Sequence, residues 1–415
     1  MDNKPGTVVL NNSKQYIVDN ILQQQWALKK DKSCSVILIS GAPGIGKSDL
    51  LTQVATELEM GLNPQYLGTM LLEQFGMPLP MIDNPSDFKA AAAKKFGLEF
   101  QRWSQPEFYS TENLRIKPKL MKPEDEWIIL FMDDIHLATK TIQTYFFQLL
   151  TYRSIHNKKM PHNFIMVAAG NRSQDRAGAQ PIMAPIVNRF FILDVRAEAS
   201  DWLTNFAIPY GVRQDIISFI EFYPDLLQSE PLESTPWASP RSWTYFSDAL
   251  NQLEERYKEG EEIPASVYLA LGTGHIGMEY ASKFTEYKKL FCRWNAKSFF
   301  MGTPLPDSTS LSKIENYTLM SSVVGELMKN LRNNDFKVND PFISSNIDIT
   351  KKLFGSLVVS AKEIIPLGLR TIVVSEGLRS KQSYVFHNLV KDNPLLLEAT
   401  KKILNVKVSS NESKV

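Results

Sequence analysis

Four short apolar runs punctuate the first half of the chain: residues 35–40, 127–132, 164–169 and 190–195. The first ends at Gly41, the second at Asp133-Asp134 and the third at Gly170-Asn171, while the fourth follows Asn188-Arg189. Runs this short, without polar alternation, predict strands covered on both faces and so a mostly parallel sheet with helices between them. After the first run, Leu50, Leu51, Val54, Ala55 and Leu58 fall on one helical face, with Gly61 as the expected helix stop. A further helix is expected to begin near Thr139. From about residue 200 the texture changes to helical spacing, as in Ile216, Ile217, Phe219, Ile220 and Phe222, and 371–374 is the exception that reads as a strand. Proline and serine cluster at 303–312, which reads as a linker, and the last ten residues are polar.

Length divides this pattern further. At 415 residues the chain exceeds what one core usually serves, and we expect an α/β domain at 1–200, a helical subdomain at 201–300 and a mostly helical module at 301–415. The formal net charge of +1 gives no global bias toward nucleic acid or anionic membrane, although a local basic patch stays open. The two cysteines, Cys34 and Cys292, imply no disulfide framework and suit a reducing compartment. The polar start and the shortness of every apolar run predict a cytoplasmic protein without membrane insertion.

The candidate chemistry begins where the first strand ends. Gly41-Ala42-Pro43-Gly44-Ile45-Gly46-Lys47-Ser48 fits Gly-x4-Gly-Lys-Ser/Thr between a strand and a helix. Glycines let backbone N–H groups turn toward phosphates without a Cβ clash, and a helix start adds a favourable dipole. Lys47 would reach the β- and γ-phosphates of ATP, and the Ser48 hydroxyl would ligate Mg²⁺. Asp133, at the end of the second run, can hold the magnesium hydration shell beside Ser48. Its neighbour Asp134 can act as general base on the attacking water. The alternative for this pair is an acidic helix cap.

Asn171 would hydrogen-bond the water or the γ-phosphate; otherwise it is a turn asparagine. Arg189 would neutralise charge on the transferred phosphoryl group, the role of an arginine finger; otherwise it is a surface ion-pairing residue, and Arg172 and Arg176 are weaker rivals.

In this order the motifs resemble those of the AAA+ ATPases, and within them the MoxR-like, dynein-related branch. The matching residues are Gly41 to Ser48, Ile128 to Asp134, Val167 to Asn171 and Asn188-Arg189-Phe190. Ser239-Pro240-Arg241-Ser242-Trp243 resembles the family's second sensor, which implies that Arg241 contacts the nucleotide phosphates. The resemblance covers roughly residues 5 to 295. It implies a P-loop parallel sheet flanked by helices, then an α-helical lid and a C-terminal helical module. It also implies a ring, commonly a hexamer, in which Arg189 completes a neighbour's site and ATP hydrolysis remodels a protein or nucleoprotein target. A partner with a von Willebrand A domain often accompanies that branch. Gln74-Phe75-Gly76-Met77-Pro78 resembles the family's pore region, or else holds an ordinary core phenylalanine. Residues 151–163 would form the branch's hairpin insertion.

Two departures qualify the resemblance. The second acidic residue is Asp134 where the family usually has Glu, one methylene longer, and a misplacement of about 1 Å can cost on the order of 10²-fold in rate. A nucleotide-gated scaffold with weak hydrolysis is therefore one alternative; a nucleic-acid-associated or GTP-using motor subunit is another, and a small P-loop kinase a third. Beyond residue 300 no motif is found. Gly272-Thr273-Gly274-His275-Ile276-Gly277 matches a dinucleotide fingerprint, but no acidic second strand follows, and it resembles a loop of the family's lid. The five histidines form no ligand cluster with the cysteines.

Overall fold

The computed structural model describes residues 7–76, 78–80, 101–112, 114–118, 126–156, 158–172, 181–231, 235–257, 263–333, 341–374, 388–389 and 396. The chain divides into two compact units, Met1–Ala197 and Glu198–Val415.

The first unit is built on a parallel sheet. Its strands are β1 (Val8–Val9), β2 (Val36–Gly41), β3 (Gly61–Tyr66), β6 (Ile128–Asp133), β9 (Phe164–Gly170) and β10 (Phe190–Arg196), in the order β1-β10-β2-β9-β6-β3. Two antiparallel pairs complete the numbering: β4 (Pro78–Pro80) with β5 (Gln101–Trp103), and β7 (Ser154–Ile155) with β8 (Lys158–Lys159). The four apolar runs are thus the four central strands, and alternate residues divide between two cores. Ile37, Ile39, Ile129, Phe131, Ile165 and Val167 pack under helices α1 (Ser13–Lys29) and α2 (Lys47–Glu57). Leu38, Leu130, Met132, Met166 and Ala168 face the other way, against Ile142, Phe146 and Leu149 of α3 (Lys140–Tyr152). Burial on both faces of β2, β6 and β9 is why these runs show no polar alternation, whereas β10 leaves Phe191 and Ile192 exposed. α3 starts at Thr139, whose hydroxyl accepts the Ile142 N–H. This is an α/β fold, a six-stranded parallel sheet flanked by helices, with a helical part following.

Strand β3 corrects the reading of Gly61. α2 ends at Glu57, the chain reverses at Glu59 (φ 55°), and Gly61 opens a strand. A Cβ at Gly61 would stand 3.1 Å from Ile128 Cγ1, so the glycine permits close strand packing. Pro64 within β3 is tolerated because β3 is an edge strand.

The second unit has no strand among its described residues, and its helices include α5 (Gln214–Phe222), α6 (Pro240–Arg256), α7 (Ala265–Ile276), α8 (Met278–Cys292), α9 (Ala296–Phe300), α10 (Lys313–Asn333), α11 (Pro341–Ser360) and α12 (Ile365–Val374), with α4 (Ala184–Val187) belonging to the first unit. Residues 371–374 lie in α12 and form no strand: Ile365, Leu369 and Ile372 are buried at helical spacing. Gly272 and Gly274 lie inside α7 and form no loop; a Cβ at Gly272 would stand 2.9 Å from Ala281 Cβ, so the glycine brings α7 against α8. α10 buries Tyr317, Met320, Val324, Leu327 and Leu331 and packs on α5 and α8, so residues on both sides of position 300 share one core. No helix among the described residues is long and apolar enough to cross a membrane.

Charge is buried in this unit at two places. Asp215 accepts from Arg213 (3.1 and 2.8 Å) and from Lys288 (2.5 Å), and Arg213 also reaches Glu254 at 2.7 Å. The group lines a cavity of about 740 Å³. The two cations hold the Asp215 carboxyl well below the usual carboxylate range despite its burial. Glu221 goes the other way. Burial pushes its carboxyl up to about 7, against the opposing pull of Arg370 at 3.2 Å and the Tyr317 hydroxyl, which donates at 2.9 Å. Its folded-state pKa lies above the ordinary value, so its stabilising contribution is complete at acid pH and is lost as pH rises through about 7. Denaturant melts should show stability declining between about pH 4.5 and 7 and levelling off above, by no more than about 1.4 kcal/mol per pH unit from this group, and Glu221→Gln should flatten that decline. An unchanged slope in Glu221→Gln would refute the assignment.

Candidate functional site

The sheet order places the carboxyl ends of β2, β9 and β6 side by side, the position where open α/β sheets bind ligands. Gly41 closes β2 beneath Val195: a Cβ there would stand 2.7 Å from the Val195 carbonyl oxygen and 2.8 Å from Ile45 Cδ1. Past Ala42 and Pro43, the loop turns at Gly44 (φ 76°) and again at Gly46 (φ 103°), conformations that a side chain disfavours. Ile45 anchors it in the core beside Leu50 and Leu51. Gly46 is the residue before α2 and brings no side-chain cap, which leaves the first amides of that helix for another acceptor.

Lys47 is buried and donates to the carbonyls of Gly41 (2.8 Å) and Ala42 (2.9 Å) and to Asn171 Oδ1 (2.9 Å). The Ser48 hydroxyl donates to Asp133 Oδ2 at 2.7 Å, and the Asp134 N–H donates to Asp133 Oδ1 at 3.0 Å. Burial raises the Asp133 carboxyl above the usual range; the Ser48 hydrogen bond opposes this, the Asp134 charge adds to it, and Lys47 opposes it more weakly. A hydroxyl and a carboxylate in contact are the hard oxygen donors that magnesium takes. Beside an uncapped helix start and a buried ammonium, they fit a magnesium nucleotide.

Asp134 has left-handed backbone angles (φ 54°, ψ 41°) and leads into the turn Ile135–Leu137. Aspartate visits this region more readily than most residues. Its half-buried carboxylate has no hydrogen-bond partner among the described residues.

The structure therefore brings Lys47, Ser48, Asp133, Asp134 and Asn171 together. Arg189 lies elsewhere. It precedes Phe190, which pairs with Val36 at the start of β2, whereas the phosphate loop follows the end of that strand. Six residues of strand separate the two levels, about 20 Å. Arg189 is fixed there: Nε donates to Thr151 Oγ1 and Nη1 to the Pro185 carbonyl, both at 2.7 Å, and the guanidinium covers Phe147 at 4.3 Å. Arg241 belongs to the helical unit. Ser239 and Ser242 cap each other at the start of α6, Pro240 occupies its first turn, and Arg241 beside them is exposed. Arg172 follows Asn171 and has interactions of its own, and Arg176 lies outside the described residues.

Phe75 is a core residue, not an exposed pore residue. It is fully buried, stacked on Tyr145 with ring centroids 5.0 Å apart and edge-on to Phe108 and Phe146. Met77 lies outside the described residues. The hairpin expected in 151–163 is present as β7 and β8.

One neighbour escaped the motif reading. His136, in the turn after Asp134, is buried with both ring nitrogens against Asn171. Its position three residues past the strand-end aspartate is the available sequence signal, and counting metal-ligand clusters passes over it.

No protein-family model matches the chain, and no curated protein matches it. Among solved structures it is similar to a mutant of Thermotoga maritima RuvB, with 15% identity and a TM-score of 0.32 over 91% of each chain. It is similar also to the Thermotoga maritima RuvB Holliday junction branch migration motor (14% identity, TM-score 0.30, 72% of this chain and 81% of that one) and to NtrX from Brucella abortus (12% identity, TM-score 0.34, 72% and 66%). Likenesses this distant leave the functional argument to the geometry above.

Gly41→Ala tests that geometry. Overpacking of this kind costs about 1–3 kcal/mol, which would displace the loop and lower Mg²⁺–ATP affinity by about 10- to 100-fold, while circular dichroism keeps the wild-type helix and sheet signal. Wild-type affinity in this variant would separate the loop from nucleotide binding.

Proposed function

We propose that this chain is a magnesium-dependent ATPase of the AAA+ kind. It would work as a ring of identical subunits, commonly six, and couple the conversion of ATP and water to ADP and phosphate to the remodelling of a protein or nucleoprotein target. The observation that carries the reading is the 2.7 Å contact between Ser48 Oγ and Asp133 Oδ2 beside the buried Lys47. Loop amides from Gly41 to Ser48 and the Lys47 ammonium would hold the phosphates, and Ser48 and Asp133 would hold Mg²⁺, which supplies charge neutralisation at the β- and γ-phosphates. Asp134 would orient the attacking water and accept its proton. Asn171 would donate a hydrogen bond to the γ-phosphate side of the site. Arg241 would contact the phosphates from the helical unit.

Arg189 supports the ring. It lies about 20 Å along the sheet from its own phosphate loop, so its role as a finger requires a neighbouring subunit. The hairpin β7–β8 before β9 favours the MoxR-like branch, and with it a von Willebrand A domain partner. The free thiols Cys34 and Cys292 suit a cytoplasmic setting.

Complementation tests the trans arrangement. Arg189→Ala should keep ATP affinity and lose about 10³- to 10⁵-fold in kcat, and Lys47→Ala should lose nucleotide binding. Mixed, the two inactive variants should regain a measurable fraction of wild-type turnover, because a wild-type loop then meets a wild-type Arg189. A mixture as inactive as its parts would count against the shared site.

The short Asp134 side chain favours a second reading, a nucleotide-gated scaffold that binds ATP and hydrolyses it slowly. Asp134→Glu separates the two. A rise in kcat of about 10-fold or more without change in KM would mean that the missing methylene limits the natural protein, in favour of the scaffold. A fall would mean that the loop is built around aspartate, in favour of the motor.

A further inference from the structure

We propose that His136 is a positioning residue that sets which way the Asn171 carboxamide faces, and so ties that carboxamide to the state of Lys47. The inference rests on the nucleotide site proposed above.

The ring of His136 is 2% exposed and spans the ends of β6 and β9. Its Nδ1 accepts the Asn171 backbone N–H at 3.0 Å, and its Nε2 lies 3.1 Å from Asn171 Nδ2. Gly170 permits the approach: a Cβ there would stand 3.0 Å from Ile135 Cγ2 and 3.4 Å from His136 Nδ1. Since Nδ1 accepts, the neutral ring carries its hydrogen on Nε2. That hydrogen faces the donor end of the carboxamide, whose oxygen is taken by Lys47 Nζ at 2.9 Å. Two neighbours that both donate therefore compete for one amide oxygen, and either orientation of the carboxamide sets one donor against another.

The competition makes the carboxamide a two-position element. While Lys47 draws on Oδ1, Nδ2 points at His136. When the Lys47 ammonium is shared with a γ-phosphate, the carboxamide can turn: Oδ1 then accepts from His136 Nε2–H, and Nδ2 becomes a donor toward the phosphate. His136 supplies the partner that makes the turned position favourable. No bond is made or broken, and the ring keeps its protonation state.

The test uses the full-length chain labelled with ¹⁵N, with two substitutions. His136→Phe keeps the ring volume without hydrogen bonds, and His136→Gln restores a polar side chain. In the nucleotide-free wild type, imidazole ¹⁵N shifts should report the Nε2–H tautomer; an Nδ1–H ring would overturn the proposal whatever the variants do. The Asn171 side-chain amide signals should differ between protein bound to ADP and to a β,γ-imido ATP analogue, and should coincide in His136→Phe. That variant should keep ADP affinity within about 2-fold, lose about 10-fold of its preference for the analogue over ADP and about 10-fold or more in kcat, with partial recovery in His136→Gln. Wild-type preference and kcat in His136→Phe would refute the coupling. A wild-type protein that binds neither nucleotide would overturn the ATPase reading, a result distinct from a wild-type ATPase indifferent to position 136.

Discussion

A single hydrogen bond, from the Ser48 hydroxyl to the Asp133 carboxylate, joins residues 85 positions apart and fixes how everything around it must be arranged. Strands β2 and β6 are not neighbours; β9 runs between them. The bond closes only if three strand ends are level, and the pairing makes them so: Ser40 lies opposite Gly170 and Met132 opposite Ala168. A one-residue slip of β9 would send Asn171 to the other face and separate it from Lys47. Two apolar cores, one on each face, hold that register, because every inward position of the three strands has a helix to pack against. The chemistry at the rim is thus paid for by burial in the middle.

What the sequence made legible is what the backbone needs locally. The glycines of the phosphate loop, the doubled aspartates and the Gly170-Asn171 step each stand at the end of an uninterrupted apolar run, so strand, turn and donor are read from a few adjacent residues. The features that escaped are those decided by distant partners. β3 holds Asn63, Pro64 and Gln65 and shows no apolar run; it is a strand because Ile128 to Asp133 lies beside it. Residues 371–374 look like a strand until their burial with Leu369 and Ile365 shows a helix face. Gly272 and Gly274 look like loop residues until Ala281 explains the gap one of them leaves. Phe75 beside a glycine could face outward or inward, and three aromatic rings decide it.

The helical unit follows another economy. Asp215 and Glu221 lie six positions apart in α5, both buried, yet their carboxyls move in opposite directions. Two cations at hydrogen-bond distance outweigh the loss of water around Asp215, while Glu221 has one guanidinium, itself partly exposed, and burial wins. Neither carboxylate could be assigned from its place in the sequence, since Arg213, Lys288 and Arg370 come from three different elements or their approaches.

An open sheet has two margins, and each is an invitation to another strand. One margin here is a two-residue strand, too short to offer a ladder. The other is β3, where Pro64 has no N–H to give and where the Leu62 N–H and carbonyl are already bonded to Ile116 and Arg115. Among the described residues, neither border therefore offers a long free ladder for strand addition. A short margin on one side and a proline with bonded neighbours on the other leave side chains, more than backbone amides, as what these borders present.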